Sequence, residues 1–171
     1  MYVDEAGFHL LGQASRTWAR RGQRPVLLRA CTYRKFSAAS AISEQGELVI
    51  EIQEQAYTGE MMAKFLGKLL NRFKQQLLVI WDGVRIHRSK EVKEFLRAHP
   101  GQIHLERQPA YSPELNAAEQ VWNELKGRLK NVCCKTSQEL EKKLRSAIRS
   151  LRRQREKSRS FFRHPEVGFY L

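Results

Sequence analysis

Three carboxylates in this chain stand at the ends of apolar segments, the layout that divalent-metal phosphodiester chemistry needs. Asp4 closes Met1-Tyr2-Val3, and Asp82 closes Leu77-Leu78-Val79-Ile80-Trp81. Glu119 ends Tyr111-Ser112-Pro113-Glu114-Leu115-Asn116-Ala117-Ala118-Glu119. Residues so far apart meet only if a fold brings their elements together. Once together, carboxylates repel one another, and a hard cation such as Mg²⁺ or Mn²⁺ is the usual remedy. Each acid also has a plainer reading. Asp82-Gly83 is a common turn pair. Asp4 is one of two acids at a strand, with Glu5 beside it. Asn116-Ala117-Ala118-Glu119 fits a helix capping box, with Glu119 reaching back to the N-cap.

The elements that would position these acids can be read from periodicity. Tyr2 to Leu10, Val26 to Tyr33, Phe36 to Ser43 and Leu48 to Gln53 read as strands. Arg34-Lys35 could turn between the second and third, and Ser43 to Glu47 carries turn chemistry before the fourth. Short turns between successive strands predict an antiparallel meander. Met62, Phe65, Leu66, Leu69, Leu70 and Phe73 then recur at helical spacing, on a helix starting near Thr58. Leu77 to Trp81 is apolar on both faces, as a strand covered on both sides would be. A helix over Ser89 to Ala98, a strand over Ile103 to Gln108 and a loop bracketed by Pro109 and Pro113 follow. Helices over Asn116 to about Lys130 and Ser137 to about Arg153 complete the chain. The order is mixed α/β, a meander first and helix-connected strands later, within one continuous domain spanning 1–171.

Charge points to the partner. The 171 residues carry 31 Lys+Arg against 18 Asp+Glu, a net charge of +13. Such an excess favours a polyanion, because Lys and Arg bind phosphates and release condensed counterions. Seven basic residues and no acid lie between Arg16 and Lys35, among them Arg16, Arg20, Arg21 and Arg24. Ten lie between Lys142 and Arg163 against Glu156 alone, including Lys142, Lys143, Arg145, Arg149, Arg152 and Arg153. A solvated helix face normally mixes signs, so residues 137–163 read as a basic helical tail and both stretches as DNA-binding surfaces. No window has the apolar length of a membrane span. Cys31, Cys133 and Cys134 show neither a disulfide framework nor zinc-ligand spacing. A cytoplasmic protein, nucleoid-associated when bound to DNA, is the expectation.

The surroundings of the acids carry a resemblance. Asp82-Gly83-Val84-Arg85-Ile86-His87-Arg88-Ser89 resembles the D-N-x-x-x-H-x-S motif of DDE transposases. Tyr111 to Trp122 resembles their Y-S-P-x-L-N-P-x-E-x-x-W motif, and 36 residues separate Asp82 from Glu119. Trp18-Ala19-Arg20-Arg21-Gly22-Gln23-Arg24-Pro25 is similar to their W-x-x-x-G-x-x-P turn. The family is the bacterial insertion-sequence branch of the Tc/mariner superfamily. Gly83 stands where asparagine is usual, and Ala117 where proline is usual; neither position is a presumed metal ligand.

The resemblance implies a ribonuclease-H-like mixed sheet flanked by helices, with Asp4, Asp82 and Glu119 as the metal-binding triad and His87 close to it. Asp4 and Asp82 would bridge two Mg²⁺ or Mn²⁺ ions, with Glu119 on one; such ions, about 3.5–4 Å apart, activate a water or 3′-hydroxyl and stabilise the leaving oxygen. The reaction implied is cleavage of double-stranded DNA at transposon ends, then attack of the freed 3′-hydroxyl on target DNA. The family's helix-turn-helix recognition region is absent from the sequence, so a separate or missing recognition half is expected. Handling two ends implies a homodimer. Two other readings stay open: a catalytically silent or truncated remnant acting as a sequence-nonspecific DNA-binding module, and a general nuclease for RNA–DNA hybrids.

Overall fold

Side chains along β1 (Tyr2–His9) alternate between two apolar compartments, as the period of a strand dictates. Tyr2, Ala6 and Phe8 enter one, and Val3 enters the other. The computed structural model describes residues 1–10, 15–23, 26, 34–109 and 112–163. Its sheet adds β2 (Lys35–Ile42), β3 (Leu48–Gln53), β4 (Leu77–Trp81) and β5 (Ile103–Arg107), in the order β3-β2-β1-β4-β5. β1, β2 and β3 form the antiparallel meander, while β4 and β5 run parallel to β1. Helices α1 (Gly59–Phe73) and α2 (Lys90–Ala98) line the Val3 face. Helices α3 (Ala117–Arg128) and α4 (Ser137–Arg153) line the Tyr2 face, and the short α5 (Arg155–Ser160) follows. This is the ribonuclease-H-like layout that the sequence implies.

Capping residues set the helix starts. Thr58 accepts from the Met61 N–H, Ser89 from Val92 and Thr136 from Glu139. Along α1, Met62, Phe65, Leu66 and Leu69 are fully buried, the stripe that the periodicity predicts. Along α4, Leu140, Leu144, Ile148 and Leu151 turn inward, so this basic segment is a layer of the fold with its cations facing out.

Two local expectations need correction. Arg34-Lys35 is not a turn: the Leu10 N–H donates to the Arg34 carbonyl at 2.8 Å, and Lys35 pairs with His9. Neither residue favours turn dihedrals, and the β1–β2 ladder claims both. The strand expected over Val26 to Tyr33 falls, past Val26, outside the described residues. Nor is β4 covered on both sides. Leu77, Val79 and Trp81 are buried beneath α1 and α2, but Leu78 is 51% exposed. On that face α3 and α4 pack over β1, β2 and β3, leaving the start of β4 bare.

Candidate metal centre and nucleic-acid interface

β1 and β4 run parallel with Tyr2 opposite Ile80. Asp4 follows two residues after Tyr2 within β1, and Asp82 directly follows the last residue of β4, so both acids stand on the two central, parallel-paired strands of the sheet. The same parity turns Asp4 towards α3 and Glu5 towards α1 and α2. Glu119 arrives from the other side, at the third position of α3.

Asp4 is buried at the foot of α3. Its Oδ2 accepts from Trp122 Nε1 at 3.1 Å and from Asn116 Nδ2 at 3.2 Å, while Oδ1 accepts from the Glu5 N–H at 2.8 Å. Burial and the nearby Glu119 carboxylate push its pKa up to about 7, against the pull of those hydrogen bonds. Glu119 itself is half-buried, and its carboxylate makes no hydrogen bond or ion pair among the described residues. The capping box is only half formed: Asn116 caps α3 by accepting from the Ala118 N–H at 3.0 Å. Its own N–H donates to the Pro113 carbonyl at 3.1 Å, across a 3₁₀ turn over Pro113–Leu115, so Glu119 does not have to reach back.

Asp82 is held by a different set. Its Oδ1 accepts from the Val84 N–H at 3.0 Å and from His87 Nδ1 at 2.9 Å. His87 is buried, stacked flat on Trp81 with ring centroids 4.1 Å apart, and its Nε2 lies 2.9 Å from Glu5 Oε1. Burial works against the charged ring, but its hydrogen bonds to the Asp82 and Glu5 carboxylates outweigh that and push its pKa up to about 10. The same His87 contact holds the Asp82 carboxyl below the usual carboxylate range. The His87 ring thus links the Glu5 and Asp82 carboxylates.

Residues 1–141 match the model of the DDE superfamily endonucleases. The chain belongs to this family. It is 26% identical over 147 residues to an insertion element IS630 uncharacterized 39 kDa protein of Shigella sonnei, covering 84% of this chain and 43% of that protein. Among solved structures it is similar to the Mos1 mariner paired-end complex with Mn, with a TM-score of 0.69 at 13% identity, covering 98% of this chain and 54% of that one. It is also similar to the catalytic domain of Mos1 mariner transposase, with a TM-score of 0.58 at 11% identity over 98% of this chain and 81% of that one. The chain thus spans less than half the length of the curated relative and about half of the chain in the paired-end complex.

Each of the three acids keeps carboxylate oxygens with unused lone pairs. Asp82 Oδ2 and both oxygens of Glu119 have no partner among the described residues, and Asp4 Oδ1 accepts a single bond. Ser40, opposite Asp4 in the β1–β2 register, is fully buried with an unpartnered Oγ. Hard oxygens with unused lone pairs, one of them on a carboxylate burdened by its neighbour's charge, fit Mg²⁺ or Mn²⁺. As they stand, no three His, Cys, Asp or Glu side chains among the described residues are gathered closely enough to hold an ion.

Sequence reasoning missed four supporting residues. Glu5 had no assigned role, though strand parity alone turns it away from Asp4. Trp122 packs in the core edge-on to Phe8, and its indole N–H also serves Asp4, as a buried indole must find an acceptor. Asn116 both caps α3 and donates to Asp4. Gln108, buried after β5, donates from its N–H to Trp81 and from its side chain to Leu115, tying the Asp82 strand to the loop that aims α3. Trp122→Phe should keep the ring packing and remove one donor. Asp4 should then titrate higher than in the wild type, as measured by NMR.

The basic surfaces divide. Arg16, Arg20 and Arg21 are exposed, around a turn at Gly22 (φ +82°) beside a fully exposed Trp18; Arg24 lies outside the described residues. On α4, Arg145 pairs with Glu141 at 2.7 Å, and Arg152 donates to the Ile50 carbonyl on the edge strand. Lys142, Lys143, Arg149 and Arg153 are exposed without partners among the described residues. No helix among the described residues is long and apolar enough to cross a membrane.

Proposed function

We propose that this chain is the catalytic half of a transposase, cutting double-stranded DNA at transposon ends and joining the freed 3′-hydroxyl to target DNA. The reading is supported by Asp4 lying in β1 and Asp82 directly following β4, its parallel neighbour, and by the Glu119 carboxylate that helps push the Asp4 pKa up. Asp4, Asp82 and Glu119 would hold the divalent ions, which supply activation of the attacking oxygen and charge relief at the leaving one. Trp122 and Asn116 fix one oxygen of Asp4 and leave the other available. His87, held by Glu5 and Trp81, fixes Asp82 in the same way. In the cut, a water oxygen bonds to phosphorus and the bond to the 3′-oxygen breaks. In the joining step that 3′-oxygen bonds to a target phosphorus and displaces a target 3′-oxygen. Neither step needs a covalent protein–DNA intermediate.

The partner is duplex DNA, met through Arg16, Arg20, Arg21 and the unpartnered cations of α4. A homodimer brings two ends together in the bacterial cytoplasm. Support comes from the family and from Mos1 transposase, one of whose solved paired-end complexes contains a left transposon end. The test is Mn²⁺-dependent nicking of supercoiled DNA by wild type and Asp82→Ala, with binding followed in parallel. Nicking lost in the variant while binding persists is the expected result. Binding without metal-dependent cutting by either protein, even with a recognition half supplied in trans, would favour a silent DNA-binding remnant. Preferential cutting of RNA–DNA hybrids would favour a general hybrid nuclease.

A further inference from the structure

Gly83 follows Asp82 and does not occupy the left-handed region of backbone space: among the described glycines only Gly22, Gly46 and Gly101 have positive φ. The backbone therefore does not demand glycine at this position; what a side chain there would meet is the guanidinium of one exposed arginine. A Cβ built at residue 83 would collide with the guanidinium of Arg107, 2.6 Å from its Cζ. Arg107 is the last residue of β5, in register with Trp81 on β4, so its side chain lies across the turn that carries Asp82. Its backbone is anchored on both sides. The Trp81 pairing holds it within the sheet, and the next residue, Gln108, is bonded to the Trp81 and Leu115 carbonyls.

The guanidinium is exposed and has no hydrogen-bond or ion-pair partner among the described residues. The adjacent Glu106 lies 3.6 Å from His104 instead. A cation beside Asp82 competes with a metal for that carboxylate, so its presence there calls for a second anion to which it is useful. A planar five-donor fork fits the non-bridging oxygens of a phosphodiester.

Resting on the reading of this site as a DNA-cutting centre, we propose that Arg107 is a phosphate-binding residue. It grips the DNA backbone beside Asp82, from a space that exists because residue 83 has no side chain. Arg107 and Gly83 then act as one unit. Returning a side chain at 83 displaces the guanidinium, with the same consequence as removing it.

The experiment uses a fluorescein-labelled DNA duplex and follows anisotropy across a salt series for wild type, Arg107→Gln, Gly83→Asn and the double variant. Each single variant is expected to bind about tenfold more weakly, the scale of one charge-assisted contact. The slope of log affinity against log salt should fall by about 0.9, the loss of one phosphate contact. The double variant should be no worse than either single one, because both remove the same contact. Arg107→Gln with unchanged affinity and slope would overturn the assignment, and an unaffected Gly83→Asn would overturn the coupling. Arg107 is exposed, so thermal melting should be unaltered in Arg107→Gln. Nicking by wild type is scored on separate plasmid samples. Its failure would count against the nuclease reading, while the salt slopes would still decide whether Arg107 binds phosphate.

Discussion

Asp4→Asn is expected to abolish metal-dependent DNA cutting and at the same time to stabilise the metal-free protein at pH 8. The carboxyl is 8% exposed, and burial with the neighbouring Glu119 raises its pKa from 3.8 to about 7. A carboxyl whose pKa is higher in the folded state holds its proton there after the unfolded chain has released its own. Its contribution to stability is therefore fully present below pH 3.8 and is lost as pH rises through 7. The raised pKa corresponds to about 4 kcal/mol at most. The asparagine amide gives up the acceptor that now serves the Glu5 N–H, which returns about 1 kcal/mol. A gain of about 2–3 kcal/mol in urea unfolding at pH 8 should remain, shrinking towards pH 4. A variant that is dead and also less stable would mean that Asp4 is a structural acid.

His87→Ala should act in the opposite direction on stability. Its removal leaves the Glu5 carboxylate, 17% exposed, without its cation, and strips the stacked ring from Trp81. Breaking such a pair costs about 3 kcal/mol, most of it from the Glu5 side, because Asp82 is 43% exposed and solvent screens it. His87 has its pKa raised in the fold from 6.5 to about 10. Its stabilisation is therefore complete below pH 6.5 and lost as pH rises through 10. The gap between wild type and variant should be widest near pH 6 and narrow by pH 10, as read by urea unfolding. Asp82 also loses the contact that aims it, and nicking should fall by about 10–100-fold, the usual effect of removing a residue that orients a metal ligand. A pH-independent gap would place the role of His87 in its ring packing alone.

A feature of this fold is legible in the sequence where local physics decides it and hidden where long-range packing does. α1 was legible because its apolar stripe is a local pattern. Glu119 was ambiguous because its first-turn position suits both a cap and a ligand. The reciprocal cap contact is not made because the Asn116 N–H goes to the Pro113 carbonyl, a turn that no local pattern reveals. The bare flank of β4 could not be seen, since five apolar residues look alike whether or not α3 reaches them. Glu5 and Arg107 escaped for the same reason: each acts on a residue more than twenty positions away, through strand register that no local window contains.

Asp4, Asp82 and Glu119 come from β1, the end of β4 and the start of α3, and the central claim is that they make one metal site. Calorimetric titration of Mn²⁺ into wild type, Asp4→Asn, Asp82→Asn and Glu119→Gln tests this without depending on DNA. Saturable binding by wild type, weakened at least tenfold in each of the three folded variants, is the predicted result. A variant that binds Mn²⁺ as the wild type does, above all Glu119→Gln, would contradict a shared site.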